Sequence, residues 1–218
     1  MGINVRSTMD IDANITGMNF NEDAIRILVN EIANIDLHDN ISFTVDKEKV
    51  IREDNEYGGF SYKIIGQFFN IIVPFFIDIS TGDIITPRAI EYQYKTLLED
   101  EYIELYTYNY ETIIAEKLQT ILTRSTANSR MKDFYDLYYF VTYKWNDINV
   151  KILKDAIETT FEHRGTKEDL EKIDNILALI EENDIIHIRW KSYQDRFLYA
   201  KNIEFSDIIN AIKQIKNI

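Results

Sequence analysis

Hydrophobic positions follow one spacing in the first half of the chain and another in the second. Apolar and polar residues alternate in stretch 9–15, and apolar residues run almost unbroken through stretch 61–79; both patterns predict β-strands. From about Tyr108 the apolar positions recur every three or four residues, which predicts helices. We therefore predict a domain of mixed α and β structure over residues 1–107 and an all-α domain over residues 108–218.

The individual elements follow from the same spacing. A helix is predicted after Asn21, where Ile25, Leu28, Val29 and Ile32 lie at helical spacing. Further strands are predicted at 41–53, 91–97 and 102–108. Six helices are predicted in the second half, at 109–125, 130–143, 150–165, 166–183, 185–202 and 205–218. We expect Gly165 to end the third of these helices and Thr166 to cap the fourth.

Composition narrows the class of protein. The 218 residues are 45% hydrophobic and contain no cysteine, which excludes disulfides, thiolate metal sites and cysteine nucleophiles. The three histidines are scattered and do not suggest a metal cluster. No secretory signal is recognisable, and the most apolar run, 68–79, contains a proline and an aspartate and is shorter than the ~20 residues of a membrane helix. We expect a soluble, cytoplasmic protein with no membrane association.

Charge is unevenly distributed along the chain. The net charge is −13; residues 1–107 carry 8 basic and 19 acidic side chains, and residues 108–218 carry 16 and 18. Because acidic surfaces repel phosphate, an RNA-binding surface is expected in the second half. The candidate patch is basic and surrounds Trp190; its members are Arg189, Lys191, Arg196 and Lys201. A solvated amphipathic helix would show the same pattern.

Two aspartates in the first predicted strand are candidate metal ligands. Asp10 and Asp12 are alternate residues, so they share one face of the strand, ~6.5–7 Å apart, while Ile11 is expected to be buried on the other face. A divalent cation, Mg²⁺ or Mn²⁺, would offset the repulsion between the two carboxylates, and Mg²⁺ prefers carboxylates together with substrate phosphates. The alternative is a polar strand edge that faces water.

A third carboxylate follows in a later strand. Asp78 is flanked by Ile77 and Ile79, and a charge in so apolar a stretch is costly unless it is paired or bound to metal. Together with Asp10 and Asp12 it fits the acidic triad of two-metal phosphoryl-transfer sites. Asp78 could instead cap the turn that follows, and Asp83 in that turn is a second candidate for the third ligand.

The helical half contains a second set of charged residues. Lys117 borders the apolar face of its helix and could neutralise a triphosphate, or it could extend from a buried stripe into water. Asp133 and Asp136 are three residues apart and therefore neighbours on one helix face. They could equally be first-turn acids, with Asp136 paired to Lys132 at the surface. Glu116 is expected to be helix surface.

These residues, in this order, resemble the AbiEii/AbiGii nucleotidyltransferase toxin family, which includes the MenT toxins. Four segments carry the resemblance: RSTMDID at 6–12, FFIDISTGD at 75–83, YETIIAEKL at 110–118 and SRMKDFYDLY at 129–138. A fifth, TFEHRGT, lies at 160–166. The resemblance implies an α+β nucleotidyltransferase fold, a mixed sheet with flanking helices, followed by an all-α helical domain. It also implies a toxin of a toxin–antitoxin or abortive-infection system.

The resemblance also implies site residues and partners. It implies Asp10 and Asp12 as metal ligands, Asp78 less directly as a third, and Thr8 and Lys117 as contacts to the nucleoside triphosphate. Asp133 and Asp136 would orient the acceptor hydroxyl or act as the base. The implied reaction is nucleotide transfer from an NTP to RNA, such as the 3′ end of tRNA, and the implied partner is a cognate antitoxin.

The chain departs from the family pattern at its start. Members have a Gly-Gly or Gly-Ser loop before this motif, whereas only residues 1–5, with the single Gly2, precede Arg6 here. Such loops bind phosphate through backbone N–H groups. Two alternatives therefore accompany the enzyme hypothesis: a catalytically impaired, truncated remnant that only binds an antitoxin, and an NTP-dependent phosphotransferase that moves the γ-phosphate.

Overall fold

The computed structural model describes residues 10–51, 58–96 and 100–218. The chain forms two compact units, Met1–Asp83 and Ile84–Ile218, which are called the first and the second unit below. The mixed α+β fold class, with a sheet followed by helices, is confirmed. The domain boundary that we predict after residue 107 stays a prediction.

The first unit is a four-stranded mixed sheet with one helix. Its elements are β1 (Asp10–Ile15), α1 (Glu22–Ala33), β2 (Ile41–Ile51), β3 (Gly59–Phe68) and β4 (Ile71–Thr81). The strand order is β1-β4-β3-β2; β1 runs parallel to β4, and the other neighbours are antiparallel. The long apolar run 61–79 is two strands rather than one, because the chain turns at residues 69–70.

The core of the first unit lies between α1 and one face of the sheet. The predicted helix begins after Asn21, whose side chain accepts a hydrogen bond of 2.9 Å from the backbone N–H of Ala24. Ile25 and Val29 are buried as predicted, whereas Ile32 is exposed. The helix packs on alternate strand residues: Tyr62, Ile64 and Ile79, with Ala13, Ile15 and Ile77 at the margin. The opposite face of β1 and β4 is therefore available for polar side chains.

The second unit begins with a hairpin and continues as a helical bundle. The hairpin is β5 (Ile90–Lys95) with β6 (Tyr102–Thr107). The helices are α2 (Tyr110–Arg124), α3 (Met131–Tyr143), α4 (Val150–His163), α5 (Lys167–Glu171), α6 (Ile173–Glu181), α7 (Asp184–Arg196) and α8 (Phe205–Lys216). Short 3₁₀ turns occur at Ser125–Ala127, Trp145–Asp147 and Leu198–Ala200.

The predicted helix at 166–183, and the cap predicted for it, differ from what is observed. Segment 166–183 is not one helix, because the pattern breaks at Lys172 and gives α5 and α6. Gly165 ends α4 with a φ of +62°, as expected. Thr166 precedes α5 but its side chain makes no capping bond; its hydroxyl instead accepts a hydrogen bond from Gln119, at 3.3 Å.

Leucine, isoleucine and phenylalanine side chains of the bundle form one large core. Helical spacing predicts two inward faces, Ile114, Leu118 and Ile121 in α2 and Phe134, Leu137, Tyr138 and Val141 in α3. All seven are buried except Tyr138, which is half-buried against the same core. Hydrophobic spacing alone specified these positions. Among the residues described, no helix is both long and apolar enough to cross a membrane.

Candidate active site

Strand pairing places two of the candidate metal ligands side by side. In the parallel ladder of β1 and β4, Asp12 lies opposite Asp78 and Asp10 lies opposite Phe76. Neighbouring strands are ~4.8 Å apart, and paired residues of parallel strands point to the same side of the sheet. Asp10, Asp12 and Asp78 therefore share the sheet face opposite α1, although 66 residues separate the second from the third.

The exposure of these residues corrects one step of the sequence argument. Asp10 and Asp12 are exposed and Asp78 is half-buried, because its strand turns Ile77 and Ile79, not Asp78, towards the core. Asp78 therefore avoids the cost of a fully buried charge. The expectation for Ile11 is wrong: its side chain is 51% exposed, since β1 is the edge strand of the sheet.

Asp83 takes part in the turn that follows β4. Its carboxylate accepts a hydrogen bond from the Ser80 hydroxyl at 3.0 Å, and its backbone carbonyl accepts one from Asn14 at 3.4 Å. Gly82 beside it has a φ of +81°, a conformation that favours glycine. These contacts are typical of a turn residue, so Asp78 is the better candidate for the third ligand.

The carboxylate face fits a divalent cation by its donor chemistry. Carboxylate oxygens are the protein ligands that Mg²⁺ and Mn²⁺ take, and β1 and β4 supply three carboxylates on one face. Within residues 10–51, 58–96 and 100–218, however, no three Asp, Glu or His side chains are already arranged around a common point. A bound ion would have to draw the side chains together. Thr8, the candidate triphosphate contact, lies outside the described residues.

A buried charge cluster links α2 and α3 in the second unit. The Lys117 ammonium lies 3.0 Å from a carboxylate oxygen of Asp133 and 2.7 Å from one of Asp136. The side chains of Lys117, Asp133 and Asp136 are 19, 4 and 1% exposed. Arg130 approaches the other oxygen of Asp133 at 3.2 Å. Burial at this depth requires positive charge beside the two carboxylates; Lys117 contacts both, and Arg130 adds a second cation at Asp133.

The cluster changes the prediction for each of its members. Asp133 and Asp136 do share a helix face, but they point inwards, so the surface pair of Asp136 with Lys132 is wrong. Lys117 does not extend into water from an apolar stripe; it ends between two carboxylates. The helix that carries it is fixed at its start by Asn109, whose side chain accepts a hydrogen bond from the Thr112 backbone N–H at 3.0 Å.

Glu116, the neighbour of Lys117, forms an ion pair with Arg164, which follows α4. Its carboxylate accepts a hydrogen bond from Arg164 at 2.8 Å, and the same guanidinium donates to Gln119 at 2.7 Å. The expectation that Glu116 is simple helix surface is therefore wrong. No local pattern pairs residues 48 positions apart, but the resemblance did mark both segments, since Arg164 lies in TFEHRGT.

Some residues of the candidate RNA patch on α7 are used in contacts within the bundle. Trp190 is 3% exposed and donates its indole N–H to the carbonyl of Ile203 at 3.1 Å. Arg189 donates to the carbonyl of Asn128 at 2.7 Å, which ties α7 to the loop before α3. Lys191 is ion-paired with Asp195 at 3.5 Å. Arg189 and Trp190 therefore stabilise the bundle, and a nucleic-acid surface on this helix would lack them.

Comparison with known proteins identifies the family of the chain. The family described as "Nucleotidyl transferase AbiEii toxin, Type IV TA system" matches residues 1–211. Two crystal structures from Helicobacter pylori, JHP933 and a candidate nucleotidyltransferase, are each 13% identical and cover 99% of this chain. The alignments span 76 and 79% of those chains, with TM-scores of 0.49 and 0.48. No curated protein matches. The chain thus belongs to the AbiEii nucleotidyl transferase toxin family of type IV toxin–antitoxin systems.

Proposed function

We propose that this toxin transfers a nucleotide from an NTP to the 3′ end of an RNA, with tRNA as the acceptor. One observation carries the proposal: the β1–β4 register pairs Asp12 with Asp78 and leaves Asp10 on the same sheet face. Three carboxylates from two adjacent strands are the donor set that a phosphoryl-transfer site needs for divalent cations. The family of the chain supplies the class of reaction.

Asp10, Asp12 and Asp78 would hold Mg²⁺ or Mn²⁺. Bound cations neutralise charge on the phosphates and make a hydroxyl a better nucleophile. The carboxylates themselves would fix the position of the triphosphate on the polar face of the sheet, while the α1 face keeps the strands rigid through its core. Rigid strands are better supports for such groups than loops, because they restrict the reacting geometry.

Lys117 is proposed as the contact to the leaving phosphates, as the family resemblance implies. An ammonium has three N–H donors, so contact with two carboxylates does not by itself exhaust its capacity to bind a phosphate oxygen. Asp133 and Asp136 would then act by positioning Lys117, a role that their burial supports. The other role that the resemblance allows, orientation or deprotonation of the acceptor hydroxyl, needs a carboxylate that meets the RNA.

The experiment uses the full chain, tRNA and Mg²⁺ with ATP, GTP, CTP and UTP, each labelled in turn at the α- or the γ-phosphate. We expect α-label to appear on the RNA 3′ end. Asp10→Asn and Asp12→Asn should lower the rate on the order of 100-fold or more, since metal-bound charge is worth several kcal/mol in the transition state. Asp155→Asn, an equally conservative change of an exposed aspartate in α4, should leave the rate unchanged.

Each other outcome contradicts the proposal in a different way. Transfer of γ-label in place of α-label would identify a phosphotransferase. No transfer of either label, with no stabilisation of the protein by any NTP, would favour a protein that only binds an antitoxin. Transfer that survives Asp10→Asn and Asp12→Asn would remove these residues from the site, whatever the reaction.

A further inference from the structure

The hairpin β5–β6 has one face made only of large apolar side chains and threonine. Cross-strand pairs Tyr92–Leu105 and Tyr94–Ile103 lie on this face, and Ile90 continues it opposite Thr107. We call the five large side chains, Ile90, Tyr92, Tyr94, Ile103 and Leu105, the ribbon's apolar face. Each is between 42 and 50% exposed, and none belongs to a buried core in the described part of the chain.

The other face of the hairpin satisfies its polar groups internally. The Tyr106 hydroxyl donates to Glu91 at 3.2 Å, and the Gln93 amide donates to Glu104 at 3.3 Å. Lys95 is ion-paired with Asp100 at 2.7 Å and lies 5.9 Å from the centre of the Tyr102 ring. These cross-strand pairs help to form the ribbon and give its polar groups partners within the hairpin, while the Tyr102 and Tyr106 rings of this face are 57 and 76% exposed.

The apolar face has no comparable partner among the contacts described. A lone two-stranded hairpin is marginally stable in water, and an alternation that puts every isoleucine and leucine of the two strands, with two of their four tyrosines, on one side is typical of a face that is covered in use. Tyrosines also provide large, rigid contact surfaces at protein interfaces. Contiguous exposed apolar surface of this kind marks an interaction site.

Charge decides which class of partner fits. Residues 90–107 contain five acidic side chains and a single lysine. Such a ribbon repels RNA phosphates and anionic lipid, and it repels a second copy of this chain, whose net charge is −13. We propose that the ribbon's apolar face is a docking surface for a partner protein whose apolar contact patch is rimmed by lysine and arginine. The surface is separate from nucleotide transfer and does not depend on it.

The test uses the full chain and two designed helical peptides of equal length. Both have the same leucine face; one carries lysine on the remaining positions and the other carries glutamate. Fluorescence anisotropy should show that the lysine peptide binds, more weakly as salt is raised, and that the glutamate peptide does not. Tyr92→Ser with Leu105→Ser should weaken binding of the lysine peptide about tenfold or more. No NTP is present, so the result stands apart from the transfer assay.

Matched variants distinguish peptide binding by the ribbon's apolar face from binding that the net negative charge of the whole protein causes. Ile188→Ser with Leu198→Ser removes two exposed apolar side chains elsewhere, at the same charge, and should leave binding unchanged. Glu91→Lys with Glu104→Lys keeps the apolar face but brings the net charge of residues 90–107 from −4 to zero, so it should weaken the preference for the lysine peptide. Hydrogen-exchange protection of Tyr102–Thr107 shows whether the hairpin is folded in each variant. If the serine variant has lost the hairpin, the lysine variant still tests the surface.

Three results would overturn the proposal. The first is a lysine peptide that binds the ribbon variant as tightly as the wild type. The second is self-association of the wild type, seen by sedimentation, that the serine variant loses, because the occupant would then be a second copy. The third is binding of a labelled single-stranded RNA that requires Tyr92 and Leu105.

Discussion

Aspartates occur in two different settings in this protein. On the sheet face of the first unit, Asp10 and Asp12 are exposed to water and are placed by the register of their strand. In the second unit, Asp133 and Asp136 are almost fully buried and are both ion-paired with Lys117. Water can solvate the sheet carboxylates until a ligand arrives, whereas the helical ones must have a cation at all times. The same residue type should therefore affect ligand binding in one unit and folding in the other.

The largest effect is expected from Lys117→Met. Removal of the ammonium leaves two buried carboxylates without their main counter-charge, so the free energy of unfolding should fall by about 3–5 kcal/mol. Urea denaturation followed by circular dichroism measures the change. Lys172→Met, which removes a lysine from an exposed pair with Glu168, is the matched control and should have no measurable effect. Equal stability of the two variants would mean that the cluster is not needed for folding.

A smaller effect is expected at alkaline pH from Tyr135, which packs beside the cluster residue Asp136. Burial raises the pKa of Tyr135 to about 12. Between pH 10 and 12 the unfolded chain loses this proton and the folded chain keeps it, so the stability contribution is full below pH 10 and declines above it. Relative to Tyr135→Phe, the wild type should lose about 1 kcal/mol by pH 11. Parallel stability curves for the two proteins would contradict the assignment.

The smallest effect on stability is expected from Asp12→Asn. An exposed carboxylate on an edge strand contributes little to folding, so the free energy of unfolding should change by less than about 0.5 kcal/mol at neutral pH. Mg²⁺ should raise the melting temperature of the wild type and not that of the variant, because only the wild type retains the full ligand set. If the variant is strongly destabilised without metal, Asp12 is needed for folding as Asp136 is. The proposed difference between the exposed and the buried aspartates would then be wrong.

Sequence patterns predicted much of the fold because helices and strands have fixed periods. Alternation placed Asp10 and Asp12 on one face, and spacing of three to four placed Ile114, Leu118 and Ile121 in the core. The same reasoning failed where a partner comes from elsewhere in the chain. It took segment 166–183 for one helix and Glu116 for surface, because the break at Lys172 and the bond from Arg164 have no signature in local spacing.

The sequence by itself determined which residues could act together. Their order along the chain, Asp10 and Asp12, then Asp78, then Lys117, then Asp133 and Asp136, indicated the family. Only the tertiary structure decided their partners. Strand pairing set Asp78 beside Asp12, and helix packing enclosed Lys117 between Asp133 and Asp136 while burying Trp190. The physical reason is that periodicity is a property of the local backbone, whereas burial and charge pairing depend on contacts between residues far apart in the chain.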